Sequence, residues 1–180
     1  YIKTLKRYCD ATPTSFVVCG GDWGSLQNRA EACFRLGYVD GIMRSSFDCY
    51  YPVVGNHDHN SNTSGVSYPE EDDIGTLPID TVRNLLLRNE ENTYYSFDGN
   101  NTKFYVLDSG AVWWVMYPHM WEQVEWLGNA LKANDCENSA IFVHATYETT
   151  LVPFMQNILD LCKAYNNNET ITLNDIEYDF

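Results

Sequence analysis

The chain has 180 residues, of which 44% are hydrophobic and 14% aromatic, a composition that supports a folded core and excludes a disordered tail. Its 25 acidic and 11 basic residues give a formal net charge of −14, which argues against nucleic acid as a partner because proteins that bind it present a basic surface. No apolar run approaches the roughly 20 residues needed to cross a bilayer, so we predict no membrane segment in this chain.

The first part of the chain alternates between apolar runs closed by glycine and segments with helical periodicity. In chain order we predict a helix over Ile2–Cys9, a buried strand over Ser15–Cys19, a helix through Leu26, Ala30 and Phe34 that ends at Gly37, and a buried strand over Tyr50–Val54. The polar stretch Asn60–Gly75 then predicts a long surface loop.

The second part combines a hairpin with further helices and one buried strand. We predict a helix after Pro78, a hairpin of Tyr94–Phe97 and Lys103–Leu107, a helix over Trp121–Ala133, a strand over Ala140–Val143 and a helix over Phe154–Tyr165. Buried strands that alternate with helices, with one antiparallel hairpin, predict a layered α/β domain with a mixed sheet.

Polar residues follow three of the predicted buried strands. Asp22 follows the first, Asn56-His57-Asp58 follows the second and His144 follows the third. Binding sites in open α/β sheets form at the carboxyl ends of strands, so we expect these side chains to converge on one site.

These side chains have the chemistry of a site for divalent or trivalent metal ions. The Asp22 carboxylate can bridge two cations, the Asn56 amide oxygen is a neutral hard ligand, and His144 offers an imidazole nitrogen. Such a mixed oxygen and nitrogen set suits Mn, Fe or Zn better than Ca. His57 lies beside a candidate ligand and can act as a proton donor, since histidine exchanges protons near neutral pH. His59 could approach a substrate, but the sequence favours a solvated loop side chain for it.

An ordered set of motifs resembles the calcineurin-like metallophosphoesterases, which include the purple acid phosphatases. VVCGGDWG resembles the Gly-Asp motif of that family, VVGNHDHN its Gly-Asn-His-Asp/Glu motif, and IFVHATYE its single-histidine motif. NTYYSFDGNNTKFYVLDS and WEQVEWLGNAL resemble the hairpin and the helix that lie between them. The order and spacing fit over nearly the whole chain.

The resemblance implies a four-layer α/β/β/α sandwich with two mixed sheets and a dinuclear site of Mn, Fe or Zn ions. It implies that Asp22 bridges both ions and that Asn56 and His144 bind the second. His57 would protonate the leaving oxygen or stabilise the transferring phosphoryl group. The implied activity is hydrolysis of a phosphate mono- or diester, with a phosphorylated small molecule or another phosphoester as substrate.

Two motifs of the family are absent from the sequence. The family begins its site with Asp-x-His and ends it with Gly-His-x-His, and the 4 histidines here lie in neither pattern. We interpret residues 1–180 as a single metallophosphoesterase domain that is truncated at both ends. We therefore expect weak or absent metal binding, and little turnover, from these residues alone.

Two other functions fit parts of the same evidence. A catalytically inactive binding or scaffolding domain with the metallophosphoesterase fold would explain the missing motifs. Nucleases also occur in the family, but the net charge of −14 and the lack of a basic stripe argue against nuclease activity in this chain.

Overall fold

The computed structural model describes residues 2–12, 16–23, 29–59, 77–88, 90–110, 117–144 and 152–180. Within these ranges the chain is a mixed α/β protein with five α-helices and three small sheets. It forms two compact units, Tyr1–Thr93 and Tyr94–Phe180. No helix within the described ranges has both the length and the apolar character needed to span a membrane.

The first unit is built around two parallel strands. Its elements are α1 (Ile2–Ala11), β1 (Val17–Cys19), α2 (Arg29–Ser46), β2 (Tyr50–Pro52), a 3-10 helix (Asn56–His59) and α3 (Ile79–Leu86). Val17 pairs with Tyr50 and Cys19 with Pro52, so the carboxyl ends of both strands lie at one edge. The predicted helices and strands are confirmed here with shifted ends, while the predicted loop Asn60–Gly75 lies outside the described residues.

Helix α2 continues through Gly37, so the predicted end of this helix is wrong. A Cβ atom at Gly37 would lie 3.7 Å from Cδ2 of Leu85 on α3, which shows that the glycine lies where α3 approaches α2. Glycine in a helix interior costs about 1 kcal/mol relative to alanine. Burial of Leu36 and Met43 on the same helix offsets a cost of this size, since a fully buried side chain contributes roughly 1.5–3 kcal/mol.

A buried aspartate joins α2 to the chain around α3. Asp40 is fully buried, and its carboxylate lies 2.9 Å from Arg44 Nε and 3.0 Å from Arg88 Nη2. Arg44 also donates a hydrogen bond to the Leu86 carbonyl at 2.6 Å. Two guanidinium groups thus compensate the charge that burial would otherwise leave uncompensated.

The second unit contains a mixed three-stranded sheet. Its elements are β3 (Tyr95–Gly99), β4 (Thr102–Leu107), α4 (Tyr117–Lys132), β5 (Asn138–Val143), α5 (Val152–Asn167), β6 (Thr170–Leu173) and β7 (Ile176–Asp179). Strand β4 pairs antiparallel with β3 and parallel with β5. The predicted hairpin is confirmed, and its turn residues Asn100 and Asn101 have φ of 50° and 59°, as a tight two-residue turn requires.

The hairpin of β6 and β7 was not among the predicted elements. It turns at Asn174 and Asp175, with φ of 50° and 62°, and it packs its buried Tyr178 on α4. Gly128 of α4 lies under this ring, because a Cβ atom there would be 2.6 Å from Tyr178 Cδ1. The core beneath contains Leu107, Val124, Leu127, Leu131, Phe154 and Leu161.

We expect Gly128→Ala to lower the free energy of unfolding by about 1–3 kcal/mol, because the added methyl group overlaps the Tyr178 ring. Gly41→Ala is the matched control, since Gly41 also lies within a helix but has no atom within 4 Å of an added Cβ. The control should be neutral or stabilise by up to about 1 kcal/mol. Urea unfolding of both variants measures the difference, and equal stabilities would contradict the packing of β7 on α4.

Candidate functional site

The two loops that follow β1 and β2 lie side by side at one edge of the strand pair. The pairing continues one residue past β2, where Val53 donates a hydrogen bond to the Cys19 carbonyl at 2.7 Å. The first loop then turns sharply, with φ of 90° at Gly21 and 59° at Asp22. Aspartate is among the few side chains that tolerate this left-handed conformation, so Asp22 can occupy the turn and still present a carboxylate.

The carboxylate of Asp58 joins the two loops. Its Oδ2 accepts hydrogen bonds from the backbone N–H of Asp22 at 3.0 Å and of Gly55 at 2.8 Å, and its Oδ1 accepts one from Trp23 at 2.8 Å. The side chain is 1% exposed. One buried carboxylate therefore sets the separation and the orientation of the loop after β1 and the loop after β2.

The protonation of Asp58 reflects opposing effects. Burial raises the pKa of its carboxyl above the ordinary value, and the nearby charge of Asp22 adds to that rise. The backbone N–H groups of Gly55, Trp23 and Asp22 lower the same pKa. Two acidic side chains are thus held close together, an arrangement that a bound cation would stabilise.

The side chains of Asp22 and His57 meet in front of this junction. Asp22 Oδ1 accepts a hydrogen bond from the His57 backbone N–H at 3.0 Å, and Asp22 Oδ2 lies 4.0 Å from His57 Nε2. The two side chains are 32% and 24% exposed, so both are accessible to a small ligand. Asn56 begins the 3-10 helix of the same loop and is half-buried. The structure therefore brings Asp22, Asn56 and His57 together.

His144 belongs to the second unit, where it follows β5 and is half-buried. Leu107 pairs with Val143, so the residues that follow them, Asp108 and His144, leave the sheet at the same edge. The convergence of His144 on Asp22 and Asn56 stays a prediction.

A cluster of buried polar side chains lies at the end of β4. Gln123 accepts a hydrogen bond from the Asp108 backbone N–H at 2.8 Å and donates one to the Asp108 carbonyl at 3.0 Å. His119 is buried beside it, with Nε2 3.8 Å from Asp108 Oδ2. This cluster anchors α4 against the strand whose neighbour carries His144. The sequence pattern around His119 predicts no role for this residue.

His59 is not a solvated loop residue, so that interpretation is wrong. It is 2% exposed, and its Nδ1 lies 3.4 Å from the Leu77 carbonyl oxygen. Leu77 in turn donates its backbone N–H to the His59 carbonyl at 2.8 Å. His59 thus joins the end of the 3-10 helix to the chain before α3.

The role of Asp58 does not follow from the sequence pattern. The motif Gly-Asn-His-Asp contains it, but only the contacts across the two loops show what its carboxylate binds. The signal in the sequence is an acidic residue within a turn-rich segment, which often accepts backbone hydrogen bonds.

The grouped side chains are two candidate metal ligands and one candidate proton donor. Asp22 and Asn56 offer oxygen atoms to a metal ion, and His57 lies beside them as the proton donor. The described ranges contain no group of three or more His, Cys, Asp or Glu residues placed to hold a metal ion. The sequence matches no known family model, and it matches no curated protein.

We expect Gly55→Ala to disturb this loop junction, because a Cβ atom at Gly55 would lie 2.7 Å from the backbone nitrogen of Asp22. The variant should lose about 1–3 kcal/mol of stability through overpacking. Gly20→Ala is the control from the same loop pair, since an added Cβ there has no atom within 4 Å. Thermal unfolding of the two variants tests this, and a Gly55→Ala protein as stable as Gly20→Ala would refute the close approach.

Proposed function

We propose that this chain belongs to a metal-dependent phosphoesterase of the calcineurin-like class, similar to the purple acid phosphatases, that hydrolyses phosphate mono- or diesters. The observation that carries the proposal is the junction in which Asp58 holds the Asp22 loop against the Asn56-His57 loop. This junction puts a candidate metal-bridging carboxylate 4.0 Å from a candidate proton donor, at the carboxyl edge of two parallel strands.

We also propose the finer fold, a four-layer α/β/β/α sandwich with two mixed sheets. The mixed sheet of β3, β4 and β5 supports it, as do helices that alternate with strands in both units. A single domain over residues 1–180 stays part of the same proposal.

In the proposed site, Asp22, Asn56 and His144 would hold the metal ions, with Asp22 shared between two of them. When bound, two such cations supply Lewis acidity and an activated nucleophile at neutral pH. Because Asp-x-His and Gly-His-x-His are absent from this sequence, these residues would offer the first ion only Asp22 as a ligand. We therefore expect little turnover from these residues alone.

The residues of the chain have separate tasks in this mechanism. His57 would donate a proton to the leaving oxygen, and its Nε2 lies 4.0 Å from the Asp22 carboxylate. The 24% exposure of His57 leaves the ring accessible to a substrate oxygen. The local positive charge of the cations would offset repulsion between an anionic substrate and a chain of net charge −14.

The first test is hydrolysis of p-nitrophenyl phosphate and bis-p-nitrophenyl phosphate by the full-length protein in the presence of Mn, Fe or Zn. We expect Asn56→Ala combined with His144→Ala to reduce turnover at least about a hundredfold, since even residues that only support metal ligands cost 10–100-fold when removed. Asn129→Ala, an exposed asparagine on α4, is the control. Unchanged hydrolysis in the double variant would refute the assigned ligands. A wild-type protein that binds metal but hydrolyses neither ester would favour the binding or scaffolding domain.

The second test separates proton donation from metal binding. We expect His57→Ala to lower turnover by about 10²–10⁴-fold, the usual contribution of a general acid, while the metal content of the full-length protein is unchanged. Elemental analysis and steady-state kinetics on the same samples measure both quantities. Loss of metal in parallel with turnover would instead make His57 a ligand.

A further inference from the structure

Asp58 differs from Asp40, also buried in the first unit, in what compensates its charge. Asp40 is compensated by the guanidinium groups of Arg44 and Arg88. Within the described part of the chain, the hydrogen bonds to the Asp58 carboxylate come from the backbone of Asp22, Trp23 and Gly55. Neutral donors compensate a buried charge less completely than a cation does, so the position is a costly one for a purely structural residue.

The hydrogen bonds between the two loops are reciprocal. The second loop binds the backbone of the first through the Asp58 carboxylate, and the first binds the backbone of the second through the Asp22 carboxylate. Asp22 also has φ of 59°, a left-handed conformation that aspartate tolerates and that a local hydrogen-bonded restraint stabilises further. The Asp58 bond to the Asp22 N–H supplies such a restraint at the residue itself.

We propose that Asp58 is the positioning residue of this site and that it orients the Asp22 carboxylate and the His57 loop before any cation binds. The inference rests on the proposed function in one respect, which is that the expected effect of this positioning is tighter metal binding. Pre-organisation of this kind raises affinity because the loops need not be ordered when the ligand arrives.

The substitution that tests the inference is Asp58→Asn, which preserves the volume of the side chain. An asparagine has one acceptor oxygen, and its NH₂ group would face at least one of the backbone N–H donors that the carboxylate now accepts. Asp48→Asn is the matched control, because Asp48 is an exposed carboxylate in the same unit.

The first measurement is amide hydrogen exchange in the metal-free protein, followed by NMR. In the wild type the amides of Asp22, Trp23 and Gly55 should be protected, and in Asp58→Asn at least one of them should exchange at least tenfold faster, with Asp48→Asn unchanged. Fast exchange of these amides in the wild type would overturn the inference. The wild-type result decides the matter if Asp58→Asn does not fold, and it stands whether or not the protein is a phosphoesterase.

The second measurement is Mn affinity by titration calorimetry on the full-length protein, at a temperature where each variant is folded. We expect Asp58→Asn to weaken Mn binding by about 10–100-fold, as for other residues that hold metal ligands in place. A residue with only a structural role would lower stability and leave the Mn affinity of the folded protein unchanged, and that result would overturn the inference. Absence of Mn binding by the wild type would count against the proposed function instead.

Discussion

The hydrogen bonds between the Asp58 carboxylate and the backbone of two loops are the interaction on which the candidate site depends. Strands β1 and β2 run parallel, but each is only three residues long, and the pairing ends near Val53. Beyond that point the loops are no longer joined by the backbone hydrogen bonds of the strand pair. Asp58 joins them through its three hydrogen bonds to the backbone, and Gly55 lets them approach closely because it has no side chain.

The rest of the first unit supports this junction from behind. Met43, Phe47 and Tyr50 form a small core against which Cys19 and Trp23 pack, so the residues on both sides of the Asp22 turn rest on buried apolar surface. The ion pairs of Asp40 hold α2, which carries part of that core, against the chain around α3. Two buried aspartates thus have different tasks, since one joins helices and the other joins the loops of the site.

The second unit presents His144 by a different arrangement. Its strand β5 pairs with β4, and the end of β4 is fixed by Gln123 and by the buried neighbours Asp108 and His119. The shared carboxyl edge of β4 and β5, where His144 lies, is where an α/β sheet ordinarily forms a site.

The sequence by itself determined the helices, most of the strands, the hairpin at Asn100-Asn101 and the strand-end position of Asp22, because periodicity and turn residues act over a few neighbouring positions. Only the tertiary structure decided that α2 continues through Gly37, that His59 is buried and that Asp58 binds both loops. Each of these depends on residues distant in the chain, such as Leu85 against Gly37 or Leu77 against His59. Local patterns carry no information about such contacts, since the energy that selects them comes from packing and burial.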